Sequence, residues 1–332
     1  MIIQKEQTLV IKGIAILLML FYHLFNQMQN VDLCETYIYI GQLPLLHILT
    51  RATNPVPFFL ILGGYGMYTV YKIGDKHRFT RVLKLYIHYL VISAFFLLVA
   101  CIFIGRATPS VTDIFSNITG FYTTWNGEVW FLFPYAILSL TSAWLFRLTD
   151  KYRTRYVLLS LFFINLCTSF AISRYGEAFF YHNYYAYNPL LYFHLMFPFY
   201  LGAMWARHGL PNVFLKEHSL PPLSYTILLL VLIIARFCFS TGAWHPLYVF
   251  AFIYLFLNIK MPPLITDILK HIGCHSMNIW MIHSWICYYL WHDWIYSLKY
   301  PAVIYFTLLF LSYIVSVIVN AICKPIEKRI IR

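Results

Sequence analysis

Of 332 residues, 61% are hydrophobic and only 11% charged, which excludes an ordinary soluble domain, where about a quarter of residues carry charge. The net charge of +12 is what basic loops on one side of a bilayer and attraction to anionic headgroups produce, so it implies no nucleic-acid partner. The expected architecture is an all-α polytopic membrane protein, a single transmembrane domain over 1–332.

Ten apolar stretches follow one another along the chain, at 8–28, 50–71, 82–104, 128–147, 155–173, 190–206, 221–239, 244–259, 272–291 and 301–322. Each is near the length that a hydrocarbon core of about 30 Å requires, although the eighth is short and reads as tilted or broken. Short cytoplasmic loops are enriched in Lys and Arg. With the N-terminus inside, 19 of the 24 basic residues fall on the inner side, leaving Arg51, Arg106, Arg174, Arg236 and Lys299 outside. Ten crossings place both termini in the cytoplasm. The first stretch is too long for a signal peptide and reads as a retained anchor. The tail after Cys323 reads as a short basic stop signal, with no soluble domain appended.

In the first stretch, Lys12 and His23 are the two residues that a bilayer disfavours most. An intramembrane ionisable group is costly unless it faces protein or water, and is read as functional by default. The two lie about 16 Å apart along a helix, one near the inner face and one past the midplane. A neutral imidazole keeps one ring nitrogen free to accept a proton, whereas the structural alternative is a histidine bonded between helices. Lys12 has its own alternative in snorkelling to the headgroups. After the second stretch, Arg78 and Arg81 stand one helical turn apart in a basic cytoplasmic loop, in register to clamp a phosphate between two forks.

The outer loops, 29–49, 105–127 and 174–189, are aromatic-rich, which fits either an interfacial aromatic belt or a platform for sugar rings. Asn117-Ile-Thr119 is a glycosylation sequon in one of them, relevant only where the source glycosylates. Glu128 opens the fourth stretch, where it either orients the His23 ring or serves as a carboxylate at a helix N-terminus. Tyr65, His283 and Arg236 are candidates for the acceptor side or for oxyanion stabilisation at the depth of His23. Arg236 can equally snorkel outward, and His194, His245 and His283 can each be inter-helix hydrogen-bonders. The seven cysteines are scattered singly, which argues against a disulfide framework. His271 and His275 have i, i+4 chelating spacing but no adjoining third ligand, so no metal site is expected.

Four motifs in order carry a resemblance: Lys12, ten residues, His23; Pro57-Phe-Phe-Leu-Ile-Leu-Gly-Gly-Tyr65 followed by Arg78-x-x-Arg81; Asn126-Gly-Glu-Val-Trp-Phe-Leu132; and Ile272-Gly-Cys-His-Ser-Met-Asn-Ile-Trp-Met-Ile-His283. Together they resemble the acyltransferase-3 family of integral membrane acyltransferases over essentially the whole chain. The departure is Gly63-Gly64-Tyr65 where the family commonly has Ser-Gly-Tyr. The resemblance implies transfer of an acyl group, usually acetyl, from a cytoplasmic acyl-CoA co-substrate to a hydroxyl of a surface carbohydrate such as an exopolysaccharide, an O-antigen-like chain or another envelope glycan. No tightly bound cofactor is implied. Lys12, Arg78 and Arg81 would hold the donor's anionic head while its arm reaches His23. There the imidazole would act as general base on the acceptor hydroxyl or carry the acyl group itself. Many members have an extra extracytoplasmic hydrolase-like domain; without one, the chain would present the acyl group directly or hand it to a separate extracytoplasmic partner. The expected location is the inner cell membrane. The rival readings are a glycan transporter or flippase whose polar pathway is lined by Lys12, His23 and Glu128, and a scaffold in an export complex.

Overall fold

The computed structural model describes residues 2–74, 78–103, 109–209, 220–238 and 242–330. Lys76, Arg106, Lys216 and Arg332, used above to assign loop sides, lie outside these, as do residues 104 and 239 that end two expected spans. The chain is an all-α membrane protein. Its long helices among the described residues are α1 Lys5–Phe25, α2 Val56–Lys72, α3 Arg78–Phe103, α4 Leu132–Lys151, α5 Thr154–Tyr175, α6 Tyr184–His208, α7 Pro222–Cys238, α8 His245–Leu257, α9 Pro263–Ser284 and α10 Pro301–Ile330. A π-helix, Trp285–Leu290, continues α9, and a two-stranded ribbon pairs Tyr39 with Pro44 and Ile40 with Leu43.

Each expected apolar stretch overlaps one of these helices, although the second begins before α2, at the 3-10 turn Thr50–Ala52, and the ninth runs from α9 into the π-helix. Six segments are long and apolar enough to cross a membrane: Lys5–Phe25, Leu45–Lys72, Arg78–Phe103, Gly127–Lys151, Thr154–Tyr175 and Pro301–Ile330. Pro222–Cys238 and Gly242–Leu257 are apolar but shorter. Several polar residues of α6 and α9 are covered by protein: Asn188 in α6, and Ser276, Asn278, His283 and Ser284 in α9, are buried. Burial among helices is what makes such residues tolerable at membrane depth. On α5 and α10 the outward residues are instead large and apolar, with Phe163 65% and Phe310 62% exposed, a surface that suits lipid and not water.

The chain divides into two compact units, each gathering separated segments. The first takes Met1–Ile11, Val56–Phe79 and Phe131–Thr266. Within it α6 is the central helix, packed on α2, α4 and α5. Glycines set that crossing: a Cβ on Gly64 would lie 1.8 Å from the Phe199 carbonyl oxygen, and one on Gly202 1.8 Å from that of Ile61. The two backbones therefore touch, as small residues allow in membrane helices. His194 of α6 meets Thr168 of α5 at 3.1 Å, an inter-helix bond of the kind expected for it.

The second unit takes Lys12–Pro55, Thr80–Trp130 and Asp267–Arg332. Here α1 touches α9, since a Cβ on Gly13 would lie 2.1 Å from the Leu269 carbonyl oxygen. Ser110 and Asp113 form a capping box that starts the short helix Val111–Thr119, and Gly120 ends it in the left-handed conformation. Tyr89 of α3 donates to the Asn117 carbonyl at 2.7 Å. The Asn117 amide is buried and donates to Asp113 O at 2.8 Å and Thr124 Oγ1 at 2.7 Å, so the folded sequon does not present its nitrogen for glycosylation. Nearby, the Cys34 thiol donates to Asn30 O at 3.4 Å, and burial pushes it up to about 11, which keeps it protonated.

Candidate active site

In the second unit the last turn of α1 brings His23 beside the turn that precedes α4. Asn126 caps the 3-10 turn Gly127–Val129: its Oδ1 accepts from Glu128 N at 3.1 Å and from Ser284 Oγ at 2.8 Å. Its Nδ2 donates to the Met281 carbonyl at 3.3 Å, and Trp280 Nε1 donates to the Glu128 carbonyl, also at 3.3 Å. Four bonds thus hold this turn, three of them to α9. They present the Glu128 carboxylate so that Oε2 is 3.4 Å from His23 Nδ1.

The tautomer of His23 follows from its neighbours. The Tyr288 hydroxyl donates to the His23 carbonyl, which has no proton to give. Towards His23 Nδ1, 3.4 Å away, the same oxygen can only accept. In its ionised form the Glu128 carboxylate is likewise an acceptor. Nδ1 therefore carries the proton and Nε2 carries the lone pair, with no partner among the described residues. The 3.4 Å contacts are longer than a tight hydrogen bond, as catalytic contacts often are before substrate arrives. A carboxylate behind one imidazole nitrogen and a free lone pair on the other is the arrangement that general-base and nucleophilic histidines share.

A second imidazole stands against the first. The ring centroids of His23 and His283 are 4.7 Å apart. His283 Nδ1 donates to the Trp280 carbonyl at 2.8 Å, within its own helix and not between helices. That fixes its lone pair on Nε2, which is buried and has no partner. This corrects the oxyanion role considered for it: the neutral ring offers no N–H there, only an acceptor.

Among the other residues singled out in the sequence, the structure brings fewer together. Tyr65 belongs to the first unit, where its hydroxyl accepts the Ile3 N–H at 2.8 Å. Arg236 is also in the first unit, where its Nε donates to His245 Nδ1 at 3.1 Å instead of extending freely outward. Lys12 is half-buried in α1, with Cys274 of α9 nearby. Arg78 and Arg81 occupy the first turn of α3, three residues apart as their register requires. The Arg78 guanidinium lies over the Tyr71 ring, 5.8 Å from its centroid. His271 Nε2 meets the Tyr313 hydroxyl and His275 Nδ1 the Ser316 hydroxyl, both at 2.8 Å, so each has a hydrogen-bond partner.

The family follows from comparison. Residues 10–321 match the family model described as an acyltransferase domain, of the acyltransferase-3 type. The chain belongs to this family. It is a multi-pass membrane acyltransferase, and membership favours group transfer over the transporter reading. No curated protein and no solved structure matches the acyltransferase. Sequence reasoning missed Tyr288 and Tyr289, although an adjacent tyrosine pair five and six residues after His283 was the available signal. It quoted Asn126 and Trp280 within motifs without giving them a task, because their hydrogen bonds span some 150 residues.

Proposed function

We propose that this acyltransferase moves an acyl group, acetyl in the simplest case, from a cytoplasmic acyl-CoA to a hydroxyl of an exported or surface carbohydrate at the inner cell membrane. The observation that carries the proposal is His23, with Glu128 behind Nδ1 and an open lone pair on Nε2, in a chain whose family is acyltransferase. In the general-base route Nε2 takes the proton of the acceptor hydroxyl as the new C–O ester bond forms, the thioester C–S bond breaks, and the leaving thiolate is protonated. In the covalent route Nε2 itself attacks the thioester carbonyl, the C–S bond breaks as the thiolate leaves, and the acceptor oxygen then takes the acyl group as the N–acyl bond breaks and its proton passes to the thiolate. Both need the same tautomer. Glu128 stabilises the imidazolium or acyl-imidazolium that forms.

The donor end is read from charge. Arg78 and Arg81 sit at a helix N-terminus, where the dipole already disfavours cations, so an anionic ligand gives the pair a purpose that helix stability does not. Lys12 is assigned to the same donor, its reach to His23 being about 16 Å along α1. Leaving the nucleotide head on the cytoplasmic side and threading only the thin thioester arm inward avoids carrying phosphate charge into the membrane. Ten crossings with both termini inside belong to the same reading, supported by the ten long helices among the described residues and by a family match over residues 10–321.

The test is mass spectrometry of envelope carbohydrate from cells with the wild-type chain, without it, and with His23→Ala at equal membrane abundance. Ester-linked acyl groups should be present only with the wild type, while the glycan is still exported in all three. Failed export with unchanged acylation per glycan would replace the reading with transport.

A further inference from the structure

Three carbonyls at the C-terminal end of α1 lack intrahelical donors, as at any helix end, and each is met by a side chain. The His23 carbonyl accepts from the Tyr288 hydroxyl, that of Leu24 from the Tyr296 hydroxyl at 2.8 Å, and that of Phe25 from His47 Nδ1 at 3.2 Å. Only Tyr288 goes further and also reaches the His23 ring. Its neighbour Tyr289 accepts the Gly127 N–H at 2.8 Å, one residue before Glu128. A Cβ on Gly127 would come within 3.0 Å of that hydroxyl, so glycine is what leaves it room.

Two adjacent residues thus secure two different parts of the site. They can do so because Trp285–Leu290 is π-helical. Its wider turn changes the angle between consecutive side chains, and such segments occur disproportionately at functional sites. The segment is anchored on its other side by Trp285, fully buried and stacked on Phe96 of α3 with centroids 5.4 Å apart.

The geometry points to the π-helical segment as the positioning element of the active site, with Tyr288 fixing the ring and tautomer of His23 and Tyr289 holding the Glu128 turn. The inference rests on His23 being the reacting imidazole. Neither tyrosine is assigned a chemical step. Tyr288 acts through His23: with its proton given to the carbonyl, its oxygen selects the Nδ1–H form, the one that leaves Nε2 free.

The experiment compares Tyr288→Phe, Tyr289→Phe and Tyr296→Phe in the full chain, purified in nanodiscs and labelled with [15N]histidine, His23 being assigned by its loss in His23→Gln. Tyr296→Phe is the control, since it removes an α1 cap without touching the ring. In the wild type, His23 should show an unprotonated Nε2. Tyr288→Phe should shift it to a mixture of tautomers and lower acetyl transfer from acetyl-CoA roughly 10- to 100-fold in kcat, with KM for acetyl-CoA unchanged. Tyr289→Phe should lower kcat by a smaller factor and leave the tautomer as it is. Tyr296→Phe should lower thermal stability and leave both tautomer and kcat as in the wild type. An unchanged tautomer in Tyr288→Phe, or the same tautomer change in Tyr296→Phe, overturns the positioning role. A wild type that transfers no acyl group overturns the functional reading instead, and the tautomer still decides the positioning.

Discussion

Two histidines of the second unit each face a glutamate, and they are held quite differently. His88 has both ring nitrogens engaged: Nδ1 with Asn278 Oδ1 at 2.7 Å, and Nε2 with Glu327 Oε1 at 2.8 Å. The partners are themselves paired, Glu327 with Lys84 at 3.1 Å and Asn278 with Asn320 Oδ1 at 3.0 Å. Among the described residues His23 has only looser 3.4 Å contacts on one nitrogen and no hydrogen bond on the other. A histidine with both nitrogens committed at short distance ties α3, α9 and α10 together and has no capacity left for chemistry. One with a backed Nδ1 and an open Nε2 has that capacity. The difference between a structural and a reactive imidazole is therefore visible as an unfilled hydrogen-bond position, not as burial or charge.

That contrast can be broken from either side. The largest effect belongs to His23→Ala, which should lower acyl transfer at least about 10²-fold, the contribution of a positioned general base, with the protein still folded and inserted. Ester content of the surface carbohydrate at matched abundance is the measurement. Glu128→Gln should come next, at roughly 10²-fold in kcat, because an amide in place of the carboxylate no longer stabilises the charged ring. Unaltered turnover would return Glu128 to the role of a helix N-terminal carboxylate.

His88→Ala should act on stability instead. It leaves Asn278 Oδ1 and Glu327 Oε1 without their partner, at a cost of about 1–3 kcal/mol, read in a denaturation midpoint, while kcat per folded molecule stays that of the wild type. A specific loss of kcat would erase the contrast with His23. The smallest effect is expected from Arg78→Gln with Arg81→Gln, which should raise KM for acetyl-CoA about tenfold with little change in kcat, since the pair is assigned to ground-state donor binding. Unchanged donor affinity would remove the arginines from the donor site.

Much of the architecture was legible before any coordinates. Apolar runs and the alternation of basic loops mark the helices, because the bilayer enforces both the length of a span and the side on which Lys and Arg remain. The pairing of His23 with Glu128 was also within reach, since each is an ionisable group placed where it is expensive. The partners of Tyr65 and Arg236 were not legible, for the opposite reason. Depth within a helix does not say which way a side chain faces, and their partners, Ile3 and His245, carry no signal of their own. The inner network of His88 was invisible because a single histidine in an apolar run reads the same whether it is reactive or tied.

By itself, then, the amino-acid order determined that this is a helical membrane acyltransferase, and which few polar residues had to be explained, because hydropathy, charge and motif spacing are local along the chain. Only the tertiary structure decided which of those residues meet, which nitrogen of His23 and of His283 holds the lone pair, and that a π-helical turn supplies Tyr288 and Tyr289. Apart from the His283 bond within its own helix, these outcomes depend on hydrogen bonds between segments more than 100 residues apart, whose geometry is set by helix packing.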